Sequence, residues 1–341
     1  MTVSAPIARP NAQGNTEPNA ARFPIGSRKS ALALIQTHHV RDRLSQLFPK
    51  ATFPLVTMST QGDRILDVAL AKIGEKALFT KELEVALEAQ QVDLVVHSLK
   101  DLPTTLPPGM VIGAILERED PRDAVVMKQG HPYHSLADLP AGSVVGTSSV
   151  RRIAQLRRRF PKLDFQDIRG NLNTRIKKLD DPQGPFDALI LAVAGLQRLG
   201  WSNRITQAIP EHIMLHAVGQ GALAVECRED DTVTSRLVAQ LTHTDTLLRC
   251  VAERTVMRVL EGGCSVPLGV YTEFSGTGSK RTMRLHCLVA SLDGQQIVEA
   301  ELVRPMPPTA DESLARELGL AVAEMMERRG ARALLETIKR A

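Results

Sequence analysis

Short, uninterrupted apolar runs bounded by helical patterns constrain this chain more than any other feature. Asp93-Leu94-Val95-Val96-His97, Asp123-Ala124-Val125-Val126-Met127 and Ala188-Leu189-Ile190-Leu191-Ala192 show no alternation of apolar and polar positions. Strands of that kind are buried on both faces, as in parallel sheets covered by helices. Helical patterns stand beside them. Ser30 can cap a helix reaching about Leu47, and Lys81 to Gln90 puts Leu83, Ala86 and Leu87 on one face. Ser149 to Phe160 is a helix following the strand Ser143-Val144-Val145-Gly146. This grammar occurs twice, on either side of the charged, proline-bearing segment Glu117 to Arg122, which reads as a hinge. The fold class is therefore α/β, with mostly parallel sheets.

The C-terminal part changes character. Met283, Leu285, Cys287 and Val289 alternate, and Asp293-Gly294 turns the chain into a second run from Gln296 to Arg304. An Asp-Gly pair between such runs signals a hairpin. Thr309-x-x-Glu312 reads as a capping box opening a helix with Leu314, Leu318, Ala321, Val322 and Met325 on one side, closed by Gly330. The result is a small α+β domain. At the other end, residues 1–21 read as a disordered tail without a secretory layout.

Composition excludes several classes. Aromatic residues are 3% of the chain, too few for a base-stacking platform, and 42 basic against 38 acidic residues do not demand a polyanionic macromolecule. No stretch approaches the ~20 apolar residues of a membrane span. The four cysteines, Cys227, Cys250, Cys264 and Cys287, include no C-x-x-C pair, so neither a metal site nor a disulfide framework is expected and a reducing cytoplasm is the simplest setting.

What the basic residues do follows from their placement. Ser27-Arg28-Lys29-Ser30 and Gly146-Thr147-Ser148-Ser149-Val150-Arg151-Arg152 sit where strands give way to helices, and Arg169-Gly170-Asn171, Arg175 and Arg198 occupy comparable positions. Cations in a first helical turn oppose the helix dipole at a cost of a few tenths of a kcal/mol each unless an anion arrives. Backbone N–H groups, hydroxyls and arginines make a carboxylate or phosphate socket. One such pair could equally be solvated surface charge; repetition favours a ligand with many acidic groups. His97-Ser98-Leu99-Lys100-Asp101-Leu102-Pro103 follows a buried strand, where α/β proteins place ligands. A lone Asp101 among arginines would stay ionised and could stabilise a developing cation. Glu261-Gly262-Gly263-Cys264-Ser265 leaves its sulfur accessible, whereas Cys227, Cys250 and Cys287 lie in apolar or helical patterns.

In this order, these motifs resemble the porphobilinogen deaminase family. The resemblance is carried by 27–33, Gly74-Glu75-Lys76-Ala77-Leu78-Phe79, His97 to Pro103 and Glu119-Asp120-Pro121-Arg122-Asp123-Ala124, then by Gly146 to Arg152 and Arg169-Gly170-Asn171. Leu191 to Leu196, Val218-Gly219-Gln220-Gly221-Ala222 and Glu261 to Cys264 complete it. The resemblance implies two domains like those of periplasmic binding proteins, with mixed, mostly parallel sheets, and a small C-terminal α+β domain. Their expected bounds are 22–116 with 220–240, 121–215, and 244–341.

It further implies a transferase that condenses porphobilinogen into a linear tetrapyrrole from a dipyrromethane primer held by a thioether to Cys264. Asp101 is the implied catalytic carboxylate. Arg28, Ser30, Lys76, Phe79, Lys100, Thr147, Ser148, Ser149, Arg151, Arg152, Arg169, Arg175 and Arg198 are the implied cofactor- and substrate-binding residues, with Arg152 and Arg175 mostly on the cofactor and Arg28 and Arg198 on the incoming unit. Residues 64–76 match a loop over the cleft. A cytoplasmic monomer acting on a small molecule is expected, without nucleic acid or membrane. The rival reading is a non-catalytic two-domain anion-binding protein. Arg157-Arg158-Arg159, the one hint of nucleic acid, falls in the last turns of a helix, where cations suit the dipole.

Overall fold

The apolar runs form the centres of two five-stranded sheets. A computed structural model describes residues 21–60, 80–260 and 266–340. In chain order the first elements are β1 (Ile25–Arg28), α1 (Ala31–Leu47), β2 (Leu55–Met58), α2 (Lys81–Glu88), β3 (Leu94–Ser98) and β4 (Met110–Ile115). The second group is β5 (Asp123–Met127), β6 (Val144–Gly146), α3 (Val150–Arg159), β7 (Asp164–Gln166), α4 (Leu172–Asp180), β8 (Ala188–Ala192), α5 (Val193–Arg198) and β9 (Gln207–Ala208). There follow β10 (Leu223–Arg228), α6 (Thr232–Ala239), α7 (Thr244–Val259), β11 (Leu268–Ser275), β12 (Thr282–Ala290), β13 (Ile297–Pro305), α8 (Glu312–Arg328) and α9 (Ala331–Arg340).

The two large sheets share one plan. Their strand orders are β2-β1-β3-β10-β4 and β7-β6-β8-β5-β9. In each, the first three strands run parallel, and the fourth is antiparallel to both its neighbours. The fourth strand of the first sheet comes from far along the chain, so Ala222–Leu247 joins Lys76–Arg118 and the N-terminal part in one compact unit. Glu119–Gly221 and Leu248–Ala341 belong to the other.

Burial explains the uninterrupted runs. In β5, Val125 and Met127 pack on one face with Val145, Leu156 and Ile190, while Ala124 and Val126 pack on the opposite face with Leu179, Leu189 and Leu191. Each such side chain removed from water contributes about 1.5–3 kcal/mol. The first sheet does likewise: Val40 and Leu44 of α1 join Ile25, Leu94 and Val96, and Leu83 and Leu87 of α2 are fully buried.

The second unit also carries the antiparallel sheet β11-β12-β13, whose Asp293-Gly294 turn has Gly294 at φ 74°. The helix that follows departs from the sequence reading. Its cap is Asp311, which accepts from Ser313 N at 3.0 Å, and not Thr309. An ionised carboxylate meets both the orphan N–H groups and the dipole. Its buried face is Ala315, Leu318, Val322, Ala323 and Met326, leaving Leu314 exposed. The expected stripe was right at Leu318 and Val322 but turned by about one residue elsewhere.

Candidate active site

In the first unit, the chemistry-bearing residues lie at the carboxyl ends of β1 and β3, where parallel strands open toward ligands. Arg28 closes β1, and Ser30 caps α1 by accepting from Ala33 N at 3.4 Å. Two buried bonds fix α1 to this edge: Thr37 Oγ1 donates to Ser27 Oγ at 2.8 Å, and Gln36 Nε2 donates to Ser98 Oγ at 2.9 Å. Beyond β3 the chain makes one tight turn, Leu99–Asp101. Leu99 and Leu102 are fully buried and Leu99 N donates to Ala222 O at 3.0 Å, so the intervening Asp101 is turned outward and exposed. Two buried leucines three residues apart hold this carboxylate toward solvent.

The first unit also buries charge behind that edge. His97 Nε2 lies 2.9 Å from Glu226 Oε2, and Glu84 of α2 is buried nearby. Burial pushes the Glu84 carboxyl above its ordinary pKa, and the field of Glu226 adds to this. Oε1 of each glutamate meets no partner among the described residues.

In the second unit, the carboxyl ends of β6, β7 and β8 lead into Thr147–Ser149, Arg169–Asn171 and α5. Gly146 is required here, because a Cβ would fall 2.5 Å from Leu189 Cδ2. Gly170 stands at φ 112°, a conformation that favours glycine, and lets Asn171 cap α4 by accepting from Thr174 N at 2.9 Å. Ser148 Oγ donates to Ile168 O, and Thr147 N donates to Gln166 O at 2.9 Å, joining the first two turns. Ser149 precedes α3 without a side-chain capping bond.

Arg151 and Arg152 are not the solvated pair that a surface reading allows. Their side chains are 5% and 8% exposed and converge on Asp123, which is fully buried. Arg151 Nη1 reaches Asp123 Oδ2 at 2.8 Å and Leu215 O at 2.7 Å. Arg152 binds Oδ1 through Nε at 2.9 Å and Ile190 O through Nη1 at 2.6 Å. Gln220 Nε2 donates to Oδ1 at 3.0 Å and to Pro121 O at 2.7 Å. Burial by itself would raise the Asp123 pKa; the fields of Arg151 and Arg152 and the bonds it accepts hold it far below the carboxylate range. Burial correspondingly lowers the Arg152 pKa against the attraction of Asp123. Two guanidiniums against one carboxylate leave this cluster with an excess of positive charge.

Arg169 and Arg175 follow β7, and Arg198 ends α5, the helix that follows β8. Arg169 Nη1 is buried and meets no partner among the described residues. Arg175 Nε donates to Gly170 O at 2.8 Å. Arg198 Nε donates to Glu119 Oε1 at 3.1 Å and Nη2 to Gly221 O at 2.7 Å. Lys76, Phe79, Cys264 and the expected loop 64–76 lie outside the described residues. The other three cysteines are buried, and burial pushes the Cys227 thiol up to about 12 and raises that of Cys287 as well.

Asp123, Glu119 and Gln220 stood within the quoted motifs but received no role from the sequence. The available signal was an aspartate opening an otherwise apolar strand: a carboxylate there must find a cation. The set fits an acid-bearing group, since an excess of buried positive charge, an orphaned guanidinium nitrogen and an uncapped helix start all call for an anion.

Fold and site together define an α/β protein with arginines gathered about the strand ends of its second sheet. The family description "Porphobilinogen deaminase, dipyromethane cofactor binding domain" matches residues 23–236, and "Porphobilinogen deaminase, C-terminal domain" matches 247–328. The porphobilinogen deaminase of Gloeobacter violaceus is 56% identical over 315 residues, covering 92% of this chain and 93% of that protein. That of Synechococcus elongatus is 54% identical over 314 residues, 92% and 94% of the two chains. Among solved structures, the methionine-binding protein MetQ aligns with a TM-score of 0.41 at 13% identity, covering 70% of this chain and 96% of its own. The chain belongs to the porphobilinogen deaminase family, and is thus a transferase with a dipyrromethane-binding domain. No helix among the described residues is long and apolar enough to cross a membrane.

Proposed function

We propose that this chain joins four porphobilinogen molecules head to tail, with release of ammonia, into hydroxymethylbilane, using a dipyrromethane held on Cys264. The observation that carries this reading is the placing of Thr147–Ser149, Arg151 and Arg152 just beyond β6, and of Arg169 and Arg175 just beyond the adjacent β7, with an excess of positive charge about Asp123. Every pyrrole unit of substrate and product bears acetate and propionate groups, and charge-assisted bonds from arginine suit carboxylates. When bound, the dipyrromethane supplies the pyrrole carbon to which units are joined.

The chain's own residues bind, orient and stabilise. Arg151, Arg152, Arg169 and Arg175, with the hydroxyls of Thr147, Ser148 and Ser149, hold pyrrole carboxylates. Arg28, Ser30, Lys100 and Arg198 receive the incoming unit, and the family resemblance adds Lys76 and Phe79 to the residues that bind pyrroles. Asp101 is the catalytic carboxylate. Exposed in the turn that follows β3, it would stabilise the positive charge that develops as ammonia departs. Among the cysteines, Cys264 is favoured by elimination as well as by its motif, because Cys227, Cys250 and Cys287 are buried. The protein works as a cytoplasmic monomer on a small-molecule substrate, consistent with these free thiols.

Intact mass tests the reading. The purified protein, incubated with porphobilinogen, is expected to exceed its sequence mass by two linked pyrrole units, and a Cys264→Ala variant is not. Wild-type protein that gains no mass and forms no bilane would leave a non-catalytic anion-binding protein as the better reading.

A further inference from the structure

Three arginines of the second unit, Arg151, Arg152 and Arg198, are held by two carboxylates of very different accessibility. Asp123 is fully buried, accepts from three side chains and is enclosed by the core. Glu119 engages Arg198 at 3.1 Å, yet its side chain is 39% exposed while that of Arg198 is 8% exposed. A guanidinium this enclosed needs an anion, and burial already lowers the Arg198 pKa against the field of Glu119. Glu119 can leave for water at little cost, whereas Arg198 remains fixed by its bond to Gly221 O at 2.7 Å.

From this asymmetry we infer that Glu119 is an internal stand-in for a substrate carboxylate: it occupies Arg198 between additions and is displaced when a porphobilinogen carboxylate arrives. The inference rests on the proposed function and on Arg198 receiving the incoming unit. Glu119 is then a specificity-determining residue that never touches the reacting atoms. It sets a threshold, because a carboxylate arriving at Arg198 must out-compete one that is already tethered. A single acetate in solution competes poorly with a tethered carboxylate, whereas a dicarboxylate has further arginines to bind. The exchange also avoids leaving a buried cation unpaired in either state.

The test compares wild type with Glu119→Gln and Glu119→Asp, each shown by thermal unfolding to be folded. The readouts are kcat and KM for porphobilinogen and inhibition by succinate, an unreactive dicarboxylate. Removing the competing charge is expected to lower KM and the succinate inhibition constant together by roughly two- to fivefold, with kcat unchanged or reduced. Glu119→Asp, which keeps the charge but shortens its reach, should fall between. An active wild type whose variants show unchanged or raised KM and unchanged succinate inhibition overturns the stand-in role alone; raised values would mean that Glu119 positions Arg198. A wild type that makes no bilane overturns the functional reading and this inference with it.

Discussion

The fourth strand of each large sheet runs against its neighbours and carries a fully buried carboxylate, but the two are set at different depths. Asp123 opens β5 and pairs in register with Ala192, at the carboxyl end of β8. Glu226 lies further into β10, opposite Val95, the second residue of β3 and three residues before its carboxyl end. At the rim, Asp123 meets cations from the first turn of α3 and an excess of positive charge remains beside the strand ends. In the interior, Glu226 meets His97 and the neighbouring Glu84, and orphaned carboxylate oxygens remain. The corresponding strand thus sets its carboxylate at the rim of one sheet and in the core of the other. Depth along the strand makes the difference, because only at the rim can the compensating charge also face a ligand.

The largest effect expected from this contrast is that of Asp123→Asn. Leaving two enclosed guanidiniums without their carboxylate should cost about 3–5 kcal/mol, read as a shift of the denaturation midpoint. The sign with pH follows from the depressed Asp123 pKa. Its contribution is fully present above the unfolded carboxylate value of about 4 and is lost as pH falls below it. Wild type and variant should therefore converge in stability in acid.

Glu226→Gln should cost less, about 1–3 kcal/mol in the same measurement, since an amide still meets His97 by a hydrogen bond. A cost equal to or above that of Asp123→Asn would break the distinction between rim and interior. The smallest change belongs to Glu84→Gln. Because the folded state raises this pKa, ionised Glu84 opposes folding near neutral pH and protonated Glu84 does not. The variant should gain up to ~1 kcal/mol near pH 8 and nothing near pH 4. A loss of stability at pH 8 would show that the Glu84 charge supports the fold through His97.

Much of this protein was legible locally. The helix capped by Ser30, the strand ending at His97 and Ser98, the turn that presents Asp101 and the hairpin at Asp293-Gly294 all follow from neighbours within a few residues. The arginine positions were equally legible, because a cation at a helix start is a local conflict that shows in the sequence. What holds those arginines was not. Asp123 lies 28 and 29 residues before Arg151 and Arg152, and Glu226 lies 129 residues beyond His97. The cap at Asp311 was missed for a smaller reason: two acceptors stood two residues apart, and packing of the helix chose between them.

The sequence by itself determined which segments become strands, helices and strand-end turns, and therefore which side chains stand beyond the strand ends. Periodicity, capping and turn chemistry are short-range, so they survive in any arrangement of the elements. Only the tertiary structure decided that Asp123 neutralises two arginines and that Glu119 occupies a third. Those outcomes depend on which strands become neighbours and how deep each lies. Burial then turns a charge indifferent in water into one that must be paired.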